Sequence, residues 1–384
     1  MRISDINITL CLKASVFNKI RKAMRIRKHI RMLSVLLAGI IFSACTDWIY
    51  DDRSGCEHGV WLSFKYDYNL QRIDMIEHVG SVGVFVYDEQ GHYITSFIEP
   101  DMRRSNPYRM YIDLPEGRYY FVALAEQNSF EQVQAGPGAN FIWEIPSQNE
   151  TMEDLAVTLE YTLTGEQEAI VDNEQSPLDT LWHAVSAKPL YVPSDRYAYD
   201  TLSLVRDTKS ISISLREIDH PETMDVADYE FNITHRNLIM TFNSETADAE
   251  PADNSPTALY TPYATWNTSD DEITGTSRSG SGRTAHADFM TSRLYAYDNA
   301  EQNARLTIRH RESDRNVIEA DLCNLLGQLR TYDETRRYTL QEFLDRGYDF
   351  RLTFFLKGGE WQYTDVSIGV LGWSKRIQNV SLGI

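Results

Sequence analysis

Val60-Trp-Leu-Ser-Phe-Lys-Tyr-Asp-Tyr68 alternates without a break. Val60, Leu62, Phe64, Tyr66 and Tyr68 fall on one side, and Trp61, Ser63, Lys65 and Asp67 on the other. A period of two with one apolar face is the mark of a half-buried strand. The pattern recurs downstream. Val82 to Tyr87 reads as a second strand, Asp88-Glu-Gln-Gly91 as a short loop with glycine where positive φ is wanted, and Tyr93 to Ile98 as the return. Tyr108 to Leu114 and Arg118 to Ala125 flank Pro115-Glu-Gly117 and read as another hairpin. Trp143 and the alternating Leu155, Val157, Leu159, Tyr161 and Leu163 extend this half.

The pattern breaks around Pro189 to Tyr197, where two prolines and Ser-Asp interrupt it. Strand-like runs then resume at Ile211–Leu215, Tyr229–Met240, Phe289–Tyr297, Ala304–Arg309, Asp349–Leu356 and Tyr363–Val370. One short helix stands out, Thr339-Leu-Gln-Glu-Phe-Leu-Asp345, with a Thr cap and Glu342 three residues on. Residues 243–282 are rich in Ser, Thr, Asp and Gly, show little periodicity, and read as a long polar surface insertion. Many short strands with turn signals and few helices predict an all-β chain of two tandem antiparallel β-sandwich domains, 59–192 and 198–384.

Ahead of these domains, Arg25, Arg27, Lys28 and Arg31 precede a mainly apolar run, Met32 to Ala44, that ends in small residues before Cys45. This is the layout of a secretory signal over residues 1–44, and the apolar run is too short to span a bilayer. Phe42-Ser-Ala-Cys45 resembles a bacterial lipobox, in which the cysteine is acylated and becomes the mature N-terminus. Residues 45–58 then form a lipidated tether. Its acids Asp47, Asp51 and Asp52 resemble the export signal of surface lipoproteins in the Bacteroidetes.

The net charge of −19 becomes about −27 once residues 1–44, with nine Lys/Arg and one Asp, are removed. Such a charge argues against nucleic acid and against electrostatic binding to anionic lipid. Membrane attachment would rest on acyl chains, which hold stably when two or more are present. Cys56 and Cys323 remain in the mature chain, either as a disulfide in an exported protein or as two thiols.

Nothing points to catalysis or to a cofactor. The nine histidines form no His-x-His or His-Glu-x-x-His pattern, so a zinc site has little support. Ser279-Gly-Ser-Gly-Arg283 has no following Lys-Ser/Thr, and Asp270-Asp-Glu272 lacks the ligand spacing of a calcium loop. No serine sits in a Gly-x-Ser-x-Gly elbow. Trp266, with Tyr260 and Tyr263, is the one exposed-looking aromatic group and the site to examine for a sugar-stacking platform.

The block from Cys56 through Val60–Leu70, Ile73-Asp74 and Val79-Gly-Ser-Val-Gly-Val-Phe-Val-Tyr-Asp88, together with Leu114-Pro-Glu-Gly-Arg-Tyr-Tyr-Phe-Val-Ala-Leu-Ala125, resembles the FimB-type fimbrial anchoring subunits of Bacteroidales. The likeness is specific over residues 45–125 and general beyond, where Gly372-Trp373 is its late feature. It implies two transthyretin-like sandwiches in an outer-membrane, surface-exposed lipoprotein at the base of a fimbrium. Such a subunit would hold the first stalk subunit by β-strand pairing and limit fibre length. The partners would be a fimbrial stalk subunit and the outer membrane, with Cys45 as the anchor.

The segment Trp361–Trp373 is the expected partner contact, with Val366, Ile368 and Val370 on a strand whose edge is open. A stalk or tip subunit shares the fold; Arg53, Arg72 or Arg103-Arg104 would then be the cleavage point of a leading strand. A glycan-binding surface lipoprotein is the other alternative. Asp179-Thr-Leu181 and Asp200-Thr-Leu202 resemble the Asp-Ser/Thr-aliphatic acceptor of Bacteroides O-glycosylation, which makes Thr180 and Thr201 candidate acceptors.

Overall fold

The structure, a computed structural model, describes residues 57–70, 78–104, 107–128, 137–165, 168–243, 256–270, 282–331, 337–368 and, for the backbone, 374–378. The expected signal, the tether from Cys45 through Cys56, Val370 and Trp373 lie outside the described residues.

The first strands are β1 (Val60–Lys65), β2 (Ser81–Asp88), β3 (Tyr93–Glu99), β4 (Arg109–Ile112) and β5 (Gly117–Glu126). Shorter ones follow: β6 (Phe141–Ile142), β7 (Ala156–Leu159), β8 (Thr162–Leu163), β9 (Glu168–Val171), β10 (Leu181–Val185), β11 (Leu190–Val192), β12 (Ala198–Ser203) and β13 (Val205–Arg206). Then come β14 (Lys209–Glu217), β15 (Tyr229–His235), β16 (Ile239–Thr241), β17 (Thr257–Tyr260), β18 (Ala264–Ser269) and β19 (Arg283–Thr291). The chain closes with β20 (Arg305–His310), β21 (Arg315–Asp321), helices α1 (Leu322–Gly327) and α2 (Leu340–Arg346), β22 (Asp349–Lys357), β23 (Glu360–Ile368) and β24 (Ser374–Gln378).

Among the described residues these pair into five sheets. The orders are β12-β1-β4; β13-β10-β5-β2-β3 with β11 also on β5; β16-β7-β6; β18-β19-β14-β22-β23-β24; and β21-β20-β15-β17-β9-β8. The chain is mostly β, as its alternation predicted. Most pairs are antiparallel, but β1–β12, β9–β17 and β14–β22 run parallel. Parallel neighbours need a long crossover. Each of these is separated by many residues of other strands.

Two cores organise the sheets. Val60, Leu62 and Phe64 of β1 meet Val82, Val84 and Val86 of β2, with Phe121, Trp182 and Leu202, in the first. The opposite face of the same six-stranded sheet sends Phe85, Tyr87, Val122 and Leu124 toward Trp143, Leu155 and Val157. That sheet is therefore buried on both sides. The second core runs on through Ile211, Ile213, Phe289, Phe350, Leu352 and Phe354 on one sheet, and Phe231, Ile233, Leu306 and Ile308 on another.

Three expectations need correcting. The domain line at Pro189–Tyr197 is not where the chain divides. β12 and β13, beyond it, pair back onto β1 and β10, while β9, before it, pairs with β17. The two prolines mark a bend within the first sandwich, and the described residues from His58 onward form one compact unit. Pro115–Gly117 does not close a hairpin: β4 pairs with β1 and β5 with β2, so the turn carries the chain between sheets. Residues 243–282 are not a structureless insertion, because β17 and β18 lie within them and Tyr260 is buried in the core.

The final crossing between the sandwiches is at Asp207-Thr208, both buried, just before Lys209. Lys209 is fully buried; its ammonium donates to the carbonyls of Arg206 (3.0 Å), Asp345 (3.3 Å) and Gly347 (3.0 Å). Burial pushes its amine down to about 7. Beside it Arg293 Nε and Nη2 donate to the two carboxylate oxygens of Asp345 at 2.8 and 2.7 Å. Burial alone would raise the Asp345 carboxyl, but Arg293 and then Lys209 hold it below the usual range. The Arg206 guanidinium lies over Tyr348, 4.3 Å from the ring centroid, and Tyr348 itself packs into the first core. The α2–β22 corner also grips the other sandwich: Leu70 N donates to Arg346 O, and Arg346 Nη1 to Asp67 O. The Thr339 cap is present, with Glu342 N donating to its hydroxyl at 3.1 Å; the Glu342 carboxylate pairs with Arg346 instead of reaching back.

Two predictions follow from the buried charges. Arg293→Met strands the Asp345 carboxylate and should cost about 3–5 kcal/mol in chemical unfolding, whereas pairing it with Asp345→Leu should recover most of that loss. Glu126, at the buried end of β5, has its carboxyl pushed up to about 8, first by burial. A raised carboxyl contributes fully below its unfolded value of 4.5 and loses that contribution as pH climbs through 8. Urea midpoints should therefore fall between pH 5 and 8 in the parent, and Glu126→Gln should flatten the decline.

Candidate functional site

The first sandwich opens along one edge. β12 pairs with β1 on one side, and no described strand covers the other. Facing it, β10 and β11 both pair with β5, but the segment between them, Ser186-Ala-Lys-Pro189, bends out of the ladder. Proline lacks the amide a continuous strand would need. Ser186 repairs the break: its hydroxyl accepts from Phe121 N at 2.7 Å, and its own amide donates to Phe121 O at 2.9 Å. Between the two edges lies a cleft of about 750 Å³, lined by Tyr68, His183, Pro189, Tyr191, Leu202 and Val205 among others.

The free edge of β12 has a definite polarity. Ala198 N and Leu204 N donate into the sheet, to Gly59 O and Lys65 O. Alternation turns the amides of Tyr199, Thr201 and Ser203 to the open side. One of these is covered: Thr201 N donates to Asp200 Oδ1 at 2.8 Å. A carboxylate capping an edge amide blunts the strand against unwanted pairing. At the cleft floor, His183 Nδ1 lies 2.9 and 3.0 Å from the two Asp207 carboxylate oxygens, which fixes the ring. The arrangement offers outward backbone amides beside a cleft of mixed lining, a setting in which an extended peptide can pair.

The residues singled out from sequence are not gathered here. Val366 and Ile368 are buried, and their strand β23 is paired on both sides, by β22 and β24. The expected open edge is thus an internal strand, because Ser374–Gln378 adds one more. Cys323 is a free thiol with no exposure, on α1, its Sγ donating to Tyr295 O at 3.4 Å. Burial pushes it up to about 12, so it is an inert packing residue. Thr180 is buried, its hydroxyl 3.4 Å from Gln127 Oε1, and cannot receive a sugar; Thr201 is exposed.

The aromatic trio does not make a platform either. Tyr260 is in the core, donating its hydroxyl proton to Asn237 Oδ1 at 2.8 Å, while Trp266 stacks on His286 with centroids 5.0 Å apart. Asp270, from the acidic triplet, pairs with Arg216. Among the described residues no cluster of three His, Cys, Asp or Glu side chains is placed to hold a metal. The sequence signal for the real opening was the Lys188-Pro189 punctuation, which reads equally well as a domain break.

The minor fimbrium anchoring subunit Mfa2 of Porphyromonas gingivalis is 23% identical to the chain over 362 residues, covering 92% of this chain and 96% of its own. A crystal structure of a proposed adhesin from Bacteroides thetaiotaomicron shares the fold with a TM-score of 0.68 at 27% identity, covering 84% of this chain and 99% of its own. The structure of the fimbrial anchor protein Mfa2 from P. gingivalis gives 0.54 at 17% identity, over 83% and 98%. Two of these matches are thus to a fimbrial anchor protein and one to a proposed adhesin. Residues 53–379 match the profile of the fimbrillin-A associated anchor proteins Mfa1 and Mfa2, and the chain belongs to that family.

Proposed function

We propose that this chain is an outer-membrane lipoprotein that anchors the base of a surface fimbrium and limits its growth. Membership of an anchor-protein family across residues 53–379 is the observation that carries the reading. Acyl attachment at Cys45 is supported by the basic, apolar and small-residue run that precedes it. The stalk subunit is held by strand addition at the free edge of β12, where outward amides meet the cleft. A strand laid there gains main-chain bonds along its length and selectivity from alternate side chains. The reading as a cleaved stalk subunit is less favoured. Arg103-Arg104 sit in a 3-10 turn after β3, and cutting there would release β1, the central strand of its sheet.

Two experiments test this. Cys45→Ser should leave the protein unprocessed or released, with fimbriae shed into the medium; retention at the membrane, with no acyl label on the parent, removes the lipoprotein reading. Thr201→Pro deletes an outward amide that serves only the Asp200 cap, so stability should change by no more than about 0.5 kcal/mol. Fimbriae should nevertheless detach from cells carrying it. If they stay, the stalk docks elsewhere.

A further inference from the structure

The outer face of the β12-β1-β4 sheet is aromatic where water would be expected. Register places Tyr199 and Tyr111 on either side of Trp61, in one row across three strands. Tyr199 is 64% exposed and Tyr111 40%, and the Trp61 and Tyr111 rings are 5.2 Å apart. Tyr197 closes the group edge-on, 5.8 Å from Tyr111. The next rows of the same face hold Ser63 between Thr201 and Arg109, then Lys65 beside Ser203. In a chain with 56 acidic residues, none of these eight register positions is a carboxylate; Asp67 and Asp113 lie at the rim, paired with Lys65 and His58.

We infer that this face rests in the headgroup layer of the membrane to which the chain is tethered. Tyrosine and tryptophan favour that layer because each has an apolar ring and a polar tip that stays wet. The chain's own path supplies the second argument. The Tyr111 hydroxyl donates to His58 O at 2.9 Å, so the described body begins at the edge of this face. Only 12 residues separate His58 from Cys45, a reach of at most about 45 Å when extended. The absence of carboxylates from the rows spares the face the repulsion that the rest of so acidic a chain meets at anionic lipid. Of the other exposed large hydrophobic side chains, Ile94 and Ile98 on β3 are aliphatic, and Tyr161, Tyr191 and Trp266 stand outside this sheet. The inference rests on acylation at Cys45, proposed above.

Hydroxyl-radical footprinting of the processed protein, extracted with its lipid and reconstituted on phosphatidylethanolamine–phosphatidylglycerol vesicles, tests it. The reference is the same mature chain beginning at Thr46, without acyl groups, in buffer. Vesicle flotation is read first. If the protein does not float, the acyl anchor is lost and this inference falls with it. If it floats, oxidation of Tyr199 and Tyr111 should drop at least threefold against the reference, while Trp266, on a different sheet, is unchanged. Floating protein whose Tyr199 and Tyr111 are modified as fast as in the reference overturns the orientation but leaves the anchor intact. A mass increment on the Thr201 peptide of cell-derived protein would also count against it, since a sugar there would stand on this face.

Discussion

Lys209 sits where two β-sandwiches become one body. Its ammonium has no exposure and is satisfied by three backbone carbonyls, one from the strand it follows and two from the α2–β22 corner. Burying a cation without a bonded carboxylate is costly unless every proton finds an acceptor. Here the carboxylate that balances it, Asp345, is held in turn by Arg293, and Arg206 spreads its charge over Tyr348 and Trp182. Each of these groups fixes another across the joint.

The interleaved pairing has the same effect at larger scale. The chain leaves the first sandwich, contributes β9 to a sheet with β17, returns for β10 to β13, and only then crosses for good. Neither half can complete its sheets from contiguous sequence. The six-stranded sheet of β2 and β5 has a core on both faces, so it acts as the common wall of the molecule.

How far the sequence was legible varied with burial. β1, half exposed, shows its alternation openly, and its start at Val60 could be read to the residue, although the alternation runs on to Tyr68, three residues past the strand's end at Lys65. β10, Leu-Trp-His-Ala-Val, is buried along nearly its whole length and shows no period at all, so it passed unseen. Pairing was harder still. Tyr108–Leu114 and Arg118–Ala125 both hold strands, but whether a Pro-x-Gly turn closes a hairpin or carries the chain to the facing sheet depends on partners 31 to 52 residues away. The edge at Trp361–Trp373 failed for the same reason: openness is a property of the sheet, and β24 was too short and polar to announce itself.

β1 lies between β12 and β4, with six register pairs to one and four to the other, and the chain enters it from His58. In the lipoprotein proposed above, a fibre dragged by flow would pull the body away from the membrane through the residues that precede His58. The load then acts along β1 while its backbone bonds lie across it, so they resist together rather than one at a time. A strand peeled from a sheet edge parts bond by bond under small force; a central strand sheared along its axis must lose the ladders on both sides at once. The order β12-β1-β4 would thus give that proposed attachment point mechanical strength out of proportion to its modest length.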